Sequence, residues 1–253
     1  LCFIALPSIA GSTVKPNNHD EPNERVILTV AVEGVGYFPF YYQENGKIKG
    51  FSVDILEYFE ANSQYDFEFI ILPWPRALYL VSQGKIDLIL TLFKSPEREQ
   101  TYHFIEPNYA EEVNQLFTLK ETEFEYGGKL EQLTPYTIGT VREYSYGSFF
   151  DQANFLNKLP VLSEDILLKI LLGKRTDMII SNPLVFNQLI VKNKLQAKVK
   201  AIEPHISITP VHMALTRHRE NSQKVNQVIG QLTQQLKQSP YYQVLLKKHK
   251  IYH

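Results

Sequence analysis

Residues 84–90 read Gly-Lys-Ile-Asp-Leu-Ile-Leu, and residues 173–180 read Gly-Lys-Arg-Thr-Asp-Met-Ile-Ile. Each stretch leaves a helical apolar pattern at glycine, makes a short turn, and enters an apolar run through aspartate. Glycine commonly ends helices because it takes the left-handed conformation without a Cβ clash. The apolar runs that follow lack polar alternation, which suits parallel strands covered on both faces. A junction used twice predicts two sheets of similar architecture. Helix–glycine–strand junctions are common in α/β folds, so the flanking segments carry the rest of the argument.

Around the first copy, Val26–Val32 reads as a buried strand and Glu33–Phe40, with two glycines and a proline, as a loop. Asn45-Gly46 inside Tyr41–Lys49 signals a hairpin. Phe51–Ala61 reads as a helix with Ser52 as candidate cap, followed by a strand at Phe67–Leu72. A helix over Pro75–Ser82 carries proline in its first turn, and Ile86–Leu92 is a third strand. Around the second copy, Thr137–Val141 reads as a strand, Ser145–Asn157 as a helix, and Val161 as a short strand. Ser163 then caps Ile166–Leu172, Asp177–Ile180 is a strand, and Pro183–Lys192 is a helix. Strand-like His212–Thr216 precedes two C-terminal helices, one spaced by Val225, Val228, Ile229, Leu232 and Leu236, the other over Pro240–Lys248 behind Ser239. Alternation of strand and helix in both halves predicts an α/β fold with open sheets.

A net charge of −1 over 253 residues gives no reason to expect nucleic acid or an anionic membrane as partner. Leu1–Ala10 is almost wholly apolar and too short to span a bilayer, and it reads as the end of a signal peptide. Thr13–Asn23 follows as a linker. Cys2, the single cysteine, lies inside the leader, which is consistent with an oxidising compartment. No His-Glu-x-x-His or Cys cluster supports a metal. Gly34-Val35-Gly36 runs into Tyr37-Phe38-Pro39 instead of a third glycine opening a helix, so no dinucleotide is expected. Tyr-Ser-Tyr-Gly at 144–147 lacks the first glycine of a nucleophile elbow. The expectation is therefore no catalytic residue, no metal and no cofactor.

Residues 37–54, Tyr-Phe-Pro-Phe-Tyr-Tyr-Gln-Glu-Asn-Gly-Lys-Ile-Lys-Gly-Phe-Ser-Val-Asp, resemble the opening block of the family 3 bacterial extracellular solute-binding proteins, binders of polar amino acids. Pro73-Trp74-Pro75-Arg76-Ala77 with Gly84–Asp87 resembles that family's next block, and Ser95-Pro96-Glu97-Arg98 with Phe104 and Tyr109 its segment before the first hinge. Ile138–Gly147 resembles the first strand-to-helix turn of its second lobe. The resemblance runs from Val26 to the C-terminus. It implies a two-lobed periplasmic-binding-protein-like α/β fold, each lobe an open mixed sheet flanked by helices. Residues 1–25 would be leader and linker, 26–109 with 212–253 lobe one, 114–205 lobe two, and 110–113 with 206–211 the hinge. The implied role is a periplasmic binder that closes on a small polar ligand for an ABC-type importer, acting as a monomer.

The same resemblance assigns Arg98 to the ligand carboxylate, for which a guanidinium fork is suited by two parallel charge-assisted hydrogen bonds. The residues alone, Glu97-Arg98-Glu99, favour a solvated charged run, and it is the resemblance that assigns Arg98 to the ligand. Tyr144 and Ser145 fall where the family's second-lobe helix begins and backbone N–H groups can meet an anion. Tyr37 and Trp74 fall at pocket walls, although Trp74 also reads as plain core. Thr91 and Phe93 end a strand of lobe one. Asn182 stands where amino acid binders of the family place an acid for the ligand's ammonium, Glu143 where they often have glycine, and Phe93 where they have a small hydroxyl residue. These departures point toward a carboxylate ligand without an ammonium, or one read by aromatic stacking. A sensory receptor of the same fold, a dehydratase of cyclohexadienyl acids using Glu143, and a relative with a degenerate cleft are the competing readings.

Overall fold

A computed structural model describes residues 25–34 and 36–251, so the expected leader and linker lie outside the described residues apart from Arg25. Strand β1 (Val26–Glu33) buries Leu28, Val30 and Val32 on one face and Ala31 on the other, as a strand covered on both sides must. The hairpin β2 (Tyr42–Glu44) and β3 (Lys47–Lys49) turns at Asn45 and Gly46, both at positive φ, which is what that dipeptide favours. Helix α1 (Phe51–Ala61) starts from Gly50 and not from Ser52. Gly50 sits at φ 135°, with a Cβ position only 2.4 Å from the Phe40 carbonyl oxygen, so the close approach demands glycine. Ser52 is fully buried instead, its hydroxyl 2.9 Å from that of Tyr109.

Strand β4 (Tyr65–Leu72), helix α2 (Trp74–Ser82) and strand β5 (Leu88–Leu92) complete the first expected unit. β4 and β5 flank β1, both parallel to it. Two short elements, α3 (Pro96–Thr101) and β6 (Tyr102–Phe104), lead into β7 (Ala110–Leu119). The second unit runs through β8 (Thr137–Val141), α4 (Ser148–Asp151), β9 (Asn157–Val161), α5 (Glu164–Leu172), β10 (Met178–Ser181) and α6 (Pro183–Lys192). The chain then forms the 18-residue strand β11 (Val199–Thr216) and closes with α7 (Ser222–Gln238) and α8 (Pro240–His249).

The strands follow the order β4-β1-β5-β11-β7-β10-β8-β9, with β6 also on β11. Parallel β4-β1-β5 and parallel β10-β8-β9 are therefore two separate units, joined through the antiparallel pair β7–β11. β11 serves both: His212–Thr216 pair with β5 and β6, and Val199–Val211 pair with β7. The segments expected to act as hinge lie in this pair, with Ala110 opposite Val211 and Val113 opposite Ile208.

The repeated glycine–aspartate junction does the same work in both units, though not through the same residue. Gly84 takes the left-handed conformation at φ 68°, whereas Gly173 sits at φ −80° and Lys174 takes it at φ 54°. Asp87 accepts the Thr29 N–H at 2.8 Å, and Asp177 accepts the Thr137 N–H at 2.7 Å, each locking its new strand to the parallel neighbour. The helix expected over Ser145–Asn157 is a single turn, Ser148–Asp151. Gly147 enters at φ 93°, and the Asp151 carboxylate takes the Ser145 hydroxyl and the Tyr146 N–H, so side-chain bonding replaces a helix start. Ser163 stands at the N-cap of α5 but its hydroxyl makes no capping bond.

Candidate functional site

The carboxyl ends of β1 and β5 from one unit and of β8 and β10 from the other converge beside the β7–β11 crossing. Open α/β sheets place ligands at such strand ends. A narrow cavity of about 30 Å³ lies here, well below the range for small-molecule sites, so a solute enters only if the walls part. Tyr37, Trp74, Thr91, Phe93, Arg98, Tyr144 and Ser145 all line it. Asn182 does not; it lies behind the wall, buried, and its carboxamide is already used. Its oxygen accepts the Leu184 N–H at 2.8 Å to cap α6, and its nitrogen donates to Glu112 at 3.1 Å. Tyr41 and Glu112 complete the lining and were not anticipated from the sequence.

Tyr144 is the joint of the two halves: it packs against all four apolar clusters of the molecule. Trp74 meets it edge-on with ring centroids 5.8 Å apart, and Tyr37 does so at 6.0 Å, favourable geometry for aromatic pairs. The Tyr144 hydroxyl donates to Glu33 at the end of β1, 2.6 Å away. Arg98 is half-buried, and its guanidinium donates to two main-chain oxygens, Phe93 at 3.0 Å and Glu143 at 2.7 Å. The Trp74 indole N–H reaches the same Glu143 carbonyl at 3.3 Å. Among the described residues Arg98 has no carboxylate partner, and burial lowers its pKa.

Two residues at the site carry backbone strain. Glu143 sits at φ 64°, a conformation that favours glycine, and this turns its carbonyl toward Arg98 and Trp74. Thr91, a β-branched residue, sits at φ 52°. Such conformations cost roughly 1–3 kcal/mol each and persist only where the surroundings impose them. Of the two backbone N–H groups expected to receive an anion, that of Tyr144 donates to Val141 O at 3.2 Å, whereas that of Ser145 makes no bond among the described residues; the next, Tyr146, donates to Asp151, and α4 is only one turn long.

The electrostatics of the site are dominated by three buried glutamates. Glu112, projecting from β7, is 3% exposed; its Oε2 accepts from the Tyr37 hydroxyl at 2.7 Å and from Asn182, and its Oε1 has no partner. Burial pushes the Glu112 carboxyl up to about 7 against the pull of both donors. Burial likewise pushes Glu33 up to about 7, opposed by the Tyr144 hydrogen bond. Glu164 at the start of α5 rises to about 8, from burial first and from the charges of Glu33 and Glu112 after it, although the Ser181 hydroxyl donates to it at 2.9 Å. Among the described residues no group of three or more His, Cys, Asp or Glu is arranged to hold a metal. These acids share no motif or spacing along the chain. Glu112 reads as the middle of a polar Ala-Glu-Glu-Val stretch, and only the β7–β11 pairing turns it inward.

Two α/β halves joined by a crossing strand pair, with an aromatic cavity between them, define a two-lobed binding fold. The chain belongs to the bacterial extracellular solute-binding proteins, family 3, which it matches over residues 28–250. It is 29% identical over 122 residues to "Probable amino-acid-binding protein YxeM" of Bacillus subtilis (strain 168), a stretch that is 48% of this chain and 45% of that relative. The match thus spans less than half the length of that relative. In fold it is similar to a histidine kinase sensor domain with similarity to periplasmic binding proteins, with TM-score 0.79, 14% identity, and coverage of 90% of this chain and 97% of the other. It is also similar to holo ArgBP from T. maritima, with TM-score 0.71, 19% identity, and coverage of 88% and 95%. At these identities the likeness is one of fold.

Proposed function

We propose that the chain is an exported, periplasmic binding protein that closes on a small polar solute bearing a carboxylate and hands it to an ABC-type importer. The observation that carries this reading is Arg98, a cavity-lining guanidinium whose bonds reach main-chain carbonyls on both sides of the cleft and no side-chain acid. A ligand carboxylate offers it a better partner than either carbonyl, because both partners are then charged. Tyr37, Trp74, Phe93 and Tyr144 enclose the apolar part of the solute, and Thr91 and Ser145 offer hydroxyls. Residues 26–109 and 212–253 form lobe one, 114–205 lobe two, and 110–113 with 206–211 the hinge. Two connections restrict the motion to closure of the lobes about the β7–β11 pair.

The reading includes no catalysis and a monomeric chain. Glu143 is exposed and presents its carbonyl, not its carboxylate, to the cavity side, which weighs against a dehydratase. The likeness in fold to a sensor domain supports a second reading, in which the same ligand-driven closure signals to a receptor partner. The two share the binding step and differ in the partner.

Trp74 is the only tryptophan and stands in the cleft, so its fluorescence reports occupancy. Titration with small carboxylates should shift that signal and raise the melting temperature, since a ligand of the native state stabilises it by mass action. Arg98→Ala should weaken the bound carboxylate by about 100-fold, the scale of losing one partner of a desolvated charge pair. Unchanged affinity in that variant would remove the basis of the proposal.

A further inference from the structure

We infer that the Glu143-Tyr144 turn is a gate built into the cleft: it takes up the places a solute would occupy, and a solute reaches the inner cavity only by displacing it. The gate adds a control step to the carboxylate reading of Arg98 and rests on that reading. Two spaces meet at this turn. The inner cavity, about 30 Å³, has room for about two waters. Outside it, between α3 and the connection from β8 to α4, lies a groove of about 550 Å³, within the range of small-molecule sites. Arg98, Tyr144 and Ser145 line both spaces, so they form the wall between them.

The two halves are tied together at this one place. Among the described residues, and apart from the β7–β11 crossing, the hydrogen bonds from residues 26–109 to residues 114–205 all end on Glu143 and Tyr144. The Tyr144 hydroxyl donates to Glu33 at 2.6 Å, and the Glu143 carbonyl accepts from Arg98 at 2.7 Å and from the Trp74 indole at 3.3 Å. The turn thereby imitates a solute. Its carbonyl sits on the guanidinium, and its ring fills the space between the aromatic walls Tyr37 and Trp74, edge-on to both. The imitation is a weak one in two respects. A neutral carbonyl is a poorer partner for Arg98 than a carboxylate, and Glu143 holds it there from a strained backbone at φ 64°. A solute carboxylate can therefore displace the turn, while the closed cleft keeps other small molecules out.

The test needs no solute, so it fails separately from the reading of Arg98, which is judged by affinity in Arg98→Ala. Trp74 is the single tryptophan, is 5% exposed and packs against the gate, so acrylamide reaches it only when the gate opens. Quenching rate constants are measured from Trp74 lifetimes in the whole chain. Tyr144→Phe keeps the ring and removes only the bond to Glu33. It should raise the constant about two- to tenfold, the shift in open population that one hydrogen bond controls. Tyr144→Ala should raise it further, and small-angle X-ray scattering should show that variant as a more extended particle. An unchanged constant in Tyr144→Phe overturns the inference. So does a wild-type Trp74 quenched as fast as free tryptophan. A scattering curve for Tyr144→Ala that superposes on the wild type also overturns it, because faster quenching then comes from a hole beside the indole and not from opening. Should Tyr144→Ala fail to fold, Tyr144→Phe decides alone.

Discussion

Replacing Glu164 by glutamine should stabilise the protein, and increasingly so as pH rises. Glu164 is 5% exposed, its Oε1 has no hydrogen-bond partner, and its carboxyl is lifted from an ordinary 4.5 to about 8. The sign of the effect follows from which state ionises first. Below pH 4.5 the group is protonated in both folded and unfolded chains, and its contribution is at its most favourable. Between 4.5 and 8 the unfolded chain gives up the proton and the folded chain keeps it, so stability falls with pH until the folded group also titrates. At about 1.4 kcal/mol per unit the loss approaches roughly 5 kcal/mol. Glutamine is isosteric with the protonated acid and cannot ionise. Subtracting about 1 kcal/mol for an imperfectly bonded amide, Glu164→Gln should gain about 4 kcal/mol at pH 9 and change little at pH 5. Urea unfolding at pH 5, 7 and 9, followed by Trp74 fluorescence and circular dichroism, measures both. A difference that is the same at all three pH values, or a variant less stable than wild type at pH 9, would refute the assignment of Glu164 as a buried neutral acid.

Three substitutions test how the sheets are built. Gly50→Ala puts a methyl group 2.4 Å from the Phe40 carbonyl oxygen at φ 135°, and should cost about 3 kcal/mol, a fall in melting temperature of about 10 °C; a fall of under about 2 °C would show that the loop yields. Asp87→Ala removes the acceptor of the Thr29 N–H and hydroxyl and the partner of Arg219 at 2.6 Å, whereas Asp177→Ala removes only an exposed bond to Thr137. The first should cost about 3 kcal/mol and the second about 1 kcal/mol in denaturant titrations, and equal costs would contradict the unequal burial of the two sites.

What the sequence determined by itself was local. Asn45-Gly46 made its hairpin because the dipeptide tolerates positive φ, and the apolar runs at Val26, Leu88 and Met178 became buried strands because no charged residue interrupts them. The order of family-like motifs brought Tyr37, Trp74, Thr91, Phe93, Arg98, Tyr144 and Ser145 to one cavity. Where local signals competed, reading failed: the Asp151 carboxylate melted most of an expected helix, and Lys174 took the left-handed turn beside Gly173. Only the tertiary structure decided the polar heart of the site. Glu33, Glu112 and Glu164 come from three distant segments, and each looks like a surface residue in its own stretch of chain. Their burial depends on β7 crossing β11 and on Tyr144 closing the joint between the lobes. No periodicity encodes such non-local pairing, because the charge of a side chain states its cost of burial and says nothing of which partners will surround it.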